Sequence, residues 1–251
     1  MKTLLLAALA CAVLSQSAIA VAAQEPAGRE PGFSTLDTSR SNSGDDARTG
    51  FRDPNRWKLK RGAKEWGVQA GYAPMQPTFF SGRKEYDTTG RKFAVTSIRF
   101  GRVIGTTRGV TYEYLFEGSP FAMAIRNEVR APSTPRPADK SAPVRTVRSN
   151  TFGAVILPAG FRFVFMPERR LKPFAQTSAG FIFSQKPIPV PQSTTYNFVG
   201  DFGGGLMYSL TETSVLKLGY RYYHISNMNI GPINPGYNAN MFYAEYTVFS
   251  K

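Results

Sequence analysis

His224 is the only histidine of the chain, and Ser226 follows it by two residues in the stretch 220-YRYYHISNMNIGPINPGYNAN-240. A histidine within hydrogen-bond reach of a serine is the minimum apparatus for nucleophilic acyl transfer. The imidazole takes the hydroxyl proton as the oxygen attacks a carbonyl. On a strand, a spacing of two puts both side chains on one face. The same pair also suits the polar rim of a barrel, where neither residue does chemistry, and on spacing alone that plainer reading is the stronger. The single cysteine, Cys11, lies in an apolar N-terminal run. Beyond it there is no thiol nucleophile, no disulfide framework and no thiolate metal site.

Which elements position the pair follows from the alternation around it. From residue 65 onward aromatics, valine and glycine dominate, and no long stretch has the apolar period of a helix. Eight stretches read as strands: 65–73, 93–104, 109–118, 151–165, 173–183, 196–210, 214–226 and 239–249. Several are long enough to cross a bilayer when tilted. One face carries Trp66, Val68, Tyr112, Phe116, Val155, Leu157, Phe161 and Phe163. The other carries Gln69, Glu113, Glu117, Arg162, Asp201, Lys217, Arg221 and Glu245. Strand two departs in one place, where Arg102 joins the apolar side of Ile98 and Phe100. Pro158 interrupts strand four and predicts a bulge. Short connections (around 105–108, 166–172 and 211–213) alternate with longer ones (74–92, 119–150, 184–195 and 227–238). The pattern predicts an all-β fold, an eight-stranded antiparallel up-and-down transmembrane barrel of the outer membrane, with its short turns periplasmic. Eight strands leave a lumen filled by side chains, which argues against a pore. Phe249 ends the last strand, but Ser250 and Lys251 follow it, whereas such barrels usually close on an aromatic.

The flanks fit export. Lys2, the apolar run Leu4 to Leu14 and the small residues 20-AVAA-23 read as a signal peptide over 1–23. Residues 24–64 are polar, then basic, and read as a flexible segment before a barrel over 65–251. The formal charge is +14. For an exported chain with no nucleic-acid-binding motif, an anionic membrane surface suits that charge better than nucleic acid. Arg83, Lys84, Arg91, Lys92, Arg130, Lys140, Arg145 and Arg148 lie in loops where they would meet lipid phosphates or simply water.

In strand seven, Leu216, Leu218, Tyr220, Tyr222, His224 and Ser226 share the apolar face, with Lys217 and Arg221 pointing into the barrel. The histidine and serine then lie on the outer wall at the strand's far end. The segment 221-RYYHISN-227, with 234-NPGYN-238 and the closing strand, resembles the lipid A 3-O-deacylases of the PagL type, within the acyloxyacyl hydrolase-like group. The resemblance implies an eight-stranded outer-membrane barrel that removes the 3-linked acyl chain of lipid A without metal or cofactor. It makes Ser226 the nucleophile, His224 the general base and Asn234 an oxyanion donor, with Asn227 and a backbone N–H near Asn229 in support. It implies lipopolysaccharide and membrane lipid as partners and is compatible with a homodimer. The third catalytic position, a glutamate in the family pattern, is Asn238 here. An asparagine can fix the histidine tautomer but cannot stabilise the imidazolium as a carboxylate does. Glu245 is the nearest acid, and alternation points it inward. Gly200, Phe202 and Gly204 on strand six, with Tyr222, read either as a shallow acyl groove or as residues easing barrel curvature. A barrel that binds lipopolysaccharide or supports the envelope without catalysis is the alternative.

Overall fold

A computed structural model of the chain describes residues 56–75, 90–130 and 147–250. The strands are β1 (Lys64–Met75), β2 (Lys92–Thr107), β3 (Val110–Arg130), β4 (Val147–Phe165), β5 (Leu171–Ile188), β6 (Thr194–Ser209), β7 (Ser214–Ser226) and β8 (Tyr237–Phe249). Each pairs antiparallel with the next, and β8 closes on β1. The signal peptide expected over 1–23, and the segment after it up to residue 55, lie outside the described residues.

Every expected strand is present, and the differences are at the ends. β3 runs on to Arg130 rather than stopping near 118, and β5 runs to Ile188. The connection expected over 184–195 therefore shrinks to residues 189–193. The stretch 119-SPFAMAIRN-127 hides its strand character because Pro120 breaks the alternation. Register shifts beside it on both partner strands absorb the proline, and pairing resumes with Ala122 opposite Gly153.

The distribution of side chains is that of a wall in hydrocarbon. Trp66, Val68, Ile98, Phe161, Phe202, Leu218 and Phe242 are exposed, while Arg99, Arg162, Lys217, Arg221, Glu117 and Glu245 are fully buried. A water-soluble barrel shows the reverse. This chain spans a membrane with an apolar outer surface around a polar interior.

The buried charges form a continuous paired network. Arg162 Nη1 lies 2.8 Å from both Glu65 and Glu113. Lys217 bridges Glu65 at 2.8 Å and Glu245 at 3.0 Å. Arg99 reaches Glu245 at 2.6 Å, and Arg221 joins Glu117 at 2.9 Å to Asp201 at 2.6 Å. An apolar layer lies on each side: Phe93, Tyr223, Ile225 and Tyr237 toward the long-loop end, and Val103, Phe174, Met207 and Phe249 toward the short turns. Residues 56–63, expected as part of a flexible segment, send Leu59 into the second layer, and Val103 hydrogen-bonds to both Gly62 and Ala63. Removing one member of such a network leaves its partners buried and unpaired. Arg162→Met is therefore expected to destabilise the barrel by about 3–5 kcal/mol, read as a lower denaturant midpoint for unfolding from micelles.

Strand four corrects the expected faces. Val155 and Leu157 were expected on the lipid side with Phe161 and Phe163, but they are buried in the interior, and Ile156 is exposed instead. The faces exchange at Pro158, where the register with β5 slips between Ile156 and Ala159. The bulge predicted from that proline is what flips them. It rests against Gly180, where a Cβ would come within 2.0 Å of the Ile156 carbonyl oxygen.

Candidate active site

β7 is paired without a register break to β6 on one side and β8 on the other. Its alternation is therefore undisturbed up to Ser226. His224 stands opposite Gly200 on β6 and opposite Asn238 on β8, and Ser226 stands opposite Phe198. All these side chains lie on the outer wall, at the end of the barrel remote from the short turns. The expected pairing of His224 with Asn238 is made: Nδ1 lies 2.6 Å from Asn238 Oδ1. With the amide oxygen toward the ring, Nδ1 carries the proton and Nε2 keeps its lone pair. That is the tautomer a general base needs.

Two donors reach the serine oxygen, and its own hydroxyl donates to Asn234 Oδ1 at 3.2 Å. Asn234 Nδ2 donates to Ser226 Oγ at 2.9 Å, and the backbone N–H of Met228 donates to it at 3.1 Å. Asn234 Oδ1 accepts in turn from the backbone N–H of Asn227 at 3.2 Å, which fixes the amide's orientation. Met228 and Asn229 both have left-handed backbones, with φ of 53° and 65°. Asparagine tolerates that region and methionine seldom adopts it, so the turn after Ser226 is strained where it aims an N–H at the nucleophile.

Two expected supporting roles change. The N–H of Asn229 is spent on Asn227 Oδ1 at 3.0 Å, so the backbone donor beside the serine is that of Met228. Asn227 is fully buried and turns away from the outer wall. Its Nδ2 donates to the Ile233 carbonyl at 2.8 Å and to Ser193 Oγ at 3.3 Å. It pins the 227–236 loop to the β5–β6 connection and thereby holds Asn234 over Ser226. Gly231 allows this approach, since a Cβ there would meet Asn227 Nδ2 at 2.8 Å. Nothing in the sequence around Ser193 marks it for this part. Glu245 points inward and is held by Lys217 and Arg99, so it takes no part at His224.

The expected groove residues divide. Gly200 faces open space, and Phe202 is 54% exposed. Tyr222 is only 2% exposed, with its ring packed 5.3 Å from that of Phe202, so it is part of a wall rather than an open floor. Gly204 is required by backbone packing: a Cβ would sit 2.5 Å from the Phe174 carbonyl oxygen. The register extends the row of His224 across the barrel as Gly200, Ala179 and Ala159. Phe198, Phe181 and Ile156 form the row on one side of it, and Tyr222, Phe202, Thr177 and Phe161 the row on the other. Small side chains between two bulky rows leave a shallow depression that starts at His224.

Of the loop cations expected to meet lipid phosphates, Arg91 is instead buried, with its guanidinium donating to the Pro189 carbonyl. There it fastens the β5–β6 connection to the start of β2. Lys92 and Arg148 are partly exposed. Arg83, Lys84, Lys140, Arg145 and the side chain of Arg130 lie outside the described residues. Among the described residues no group of three or more His, Cys, Asp or Glu side chains stands close enough to hold a metal ion.

Residues 139–247 match the family model described as lipid A 3-O-deacylase (PagL). This is the family that the residues around His224 resemble, and the matched region holds every residue of the constellation above. No curated protein matches the chain. Among solved structures, the chain is similar to the outer membrane enzyme PagL, at 13% identity and a TM-score of 0.46, over 71% of this chain and 97% of that one. It is similar to Neisserial surface protein A at 14% identity and a TM-score of 0.40, over 75% and 99%. It is similar to the outer membrane protein OprG from Pseudomonas aeruginosa at 10% identity and a TM-score of 0.40, over 77% and 98%.

Proposed function

We propose, from the family match over residues 139–247 and the constellation it contains, that this chain is an outer-membrane esterase that hydrolyses the 3-O-linked acyl chain of lipid A. The observation that carries the reading is the serine oxygen held between Asn234 Nδ2 and the Met228 N–H, two residues from a histidine whose Nδ1 is fixed by Asn238. On a lipid-facing wall such an arrangement has no structural need to exist. Polar groups there cost free energy, and a group kept at that cost points to a function.

In this reading Ser226 Oγ attacks the ester carbonyl while Nε2 of His224 accepts its proton. The developing oxyanion lies toward Asn234 Nδ2 and the Met228 N–H. His224 then protonates the departing sugar oxygen, which leaves an acyl-serine. Water activated by the same nitrogen releases the fatty acid and restores the hydroxyl. The acyl chain would lie along Gly200, Ala179 and Ala159, between the two bulky rows. Lys92 and Arg148 would serve the phosphates of the glycolipid. The signal peptide over 1–23 would deliver the chain to its membrane. One chain contains the whole constellation, so the reading needs no second copy, and a homodimer would add nothing to the site.

Mass spectrometry of lipid A incubated with the purified barrel tests the reading. The expected result is loss of one 3-hydroxyacyl chain. An unchanged mass, with the barrel shown to be folded, would leave a non-catalytic barrel that binds lipopolysaccharide. The absence of a carboxylate at position 238 is what favours that second reading.

A further inference from the structure

The geometry points to a binding site for an anionic phospholipid headgroup on the outer wall near the short-turn end, built on Lys64 and Arg102. The two residues stand directly opposite each other in the β1–β2 ladder. Both are exposed, and both lie on the outward face of their strands, with Trp66 on β1 and Phe100 on β2 in the next row. Like charges directly opposite on one face of an antiparallel pair repel. Among the described residues neither side chain has a hydrogen-bond or ion-pair partner. The nearby carboxylates of Glu65 and Glu113 face inward and are taken by Arg162 and Lys217. Two facing cations at the margin of an apolar wall are thus left for an anion to bridge.

What surrounds the pair selects a lipid as the source of that anion. Trp66 is 60% exposed, and its ring lies 4.9 Å from that of Phe100, so the two make an apolar platform above the cations. Val68 and Ile98, facing each other, continue it toward the middle of the wall. A tryptophan and cations in adjacent rows are the pattern of an interface, with the ring at headgroup depth and the charges just beyond it. A phosphodiester between Lys64 and Arg102 would accept two parallel bonds from the guanidinium and one from the ammonium. Its tails would then lie over Trp66, Val68 and Ile98. A headgroup that brings its own ammonium would restore the repulsion, so the occupant is an anionic phospholipid of the leaflet at the short-turn end.

The two tryptophans of the chain, Trp57 and Trp66, provide the test. Trp57 packs against Arg56 and Arg170, away from this pair, so Trp57→Phe leaves Trp66 as the sole reporter. The full barrel carrying that change is reconstituted in phosphatidylcholine vesicles doped with brominated phosphatidylglycerol or brominated phosphatidylcholine. Trp66 fluorescence is expected to be quenched preferentially by the anionic lipid. That preference should fall about fivefold for Lys64→Gln or Arg102→Gln, the worth of one cation near a membrane surface, and vanish in the double variant. Lys58→Gln, an exposed cation outside the pair, should leave it unchanged. Stability supplies a second readout with a change of sign. In purely zwitterionic vesicles the double variant should be at least as stable as its parent, because the repulsion is gone, whereas with phosphatidylglycerol present it should be less stable. Equal quenching by the two lipids in the parent overturns the proposal, as does a preference that survives the double substitution. Loss of the preference on adding inorganic phosphate also overturns it, because the site would then serve a free anion.

Discussion

Ser226→Ala is expected to leave a folded barrel whose rate of lipid A deacylation has fallen by about ten-thousand-fold or more, the size of loss seen when a serine nucleophile is removed from its triad. The fold should tolerate the change. Ser226 lies at the very end of β7 and is partly exposed, and its hydroxyl closes no buried network. The donors that it releases, Asn234 Nδ2 and the Met228 N–H, are left at a partly open surface where water replaces the lost partner. The measurement is release of the 3-hydroxyacyl chain over time, beside heat-dependent gel mobility to show that the barrel is intact. His224→Asn should fall by a similar factor, because the proton then has no acceptor. Asn234→Ala should fall less, by about a hundred- to a thousandfold, the worth of one oxyanion donor. That ordering separates chemistry from structure. If Ser226→Ala kept its rate within tenfold of the parent, Ser226 would not be the nucleophile and the esterase mechanism would fail.

The parts of this site that could be read in the sequence are those set by strand period. The faces of β7 follow from the alternation of Leu216, Leu218 and Tyr220 with Lys217, Gly219 and Arg221, because no bulge interrupts that strand. The placement of His224 and Ser226 outside and of Glu245 inside needed nothing more. Period two fails where a residue is inserted into the ladder. Pro158 announced its bulge, but assigning Val155 and Leu157 to the correct face requires knowing on which side of the slip the register resumes, and that is set by β5 and Gly180. Contacts between segments distant in the chain were not legible. Ser193 meets Asn227 across 34 residues, and Arg91 meets Pro189 across 98. Arg91 shows the direction of the error. A cation in a loop reads as a solvated or phosphate-facing group, yet here it is buried against a carbonyl because the β5–β6 connection needs a donor at that point. Arg102, the one charge that joined the apolar face, was anomalous in the sequence and remains so in the fold until the lipid boundary is considered.

The anomaly at position 238 yields the remaining large effect, and it is a gain. Asn238→Asp is expected to raise the deacylation rate by about two- to thirtyfold. The register places position 238 directly opposite His224, and the amide oxygen already lies 2.6 Å from Nδ1. Aspartate has the same length, so a carboxylate oxygen takes that position without moving the strand. The hydrogen bond to Nδ1–H and the tautomer are preserved. What changes is the transition state, in which Nε2 has taken the serine proton and the ring carries a full positive charge. A neutral amide offers that charge a dipole, whereas a carboxylate offers an opposite charge at hydrogen-bond distance in a poorly hydrated site. Hydrogen bonds to charged groups contribute roughly 1.5–3 kcal/mol against about 1 for neutral ones, and each 1.36 kcal/mol of extra stabilisation is about tenfold in rate. Asn238→Leu should act in the opposite direction, since the ring loses the acceptor that fixes its tautomer. The pair of variants decides what Asn238 does. A gain with Asp and a loss with Leu, both abolished when Ser226→Ala is added, would make position 238 the orienting member of a working triad. No gain with Asp, in a barrel that deacylates lipid A, would mean that the imidazolium is stabilised from elsewhere and that Asn238 only holds the ring in place.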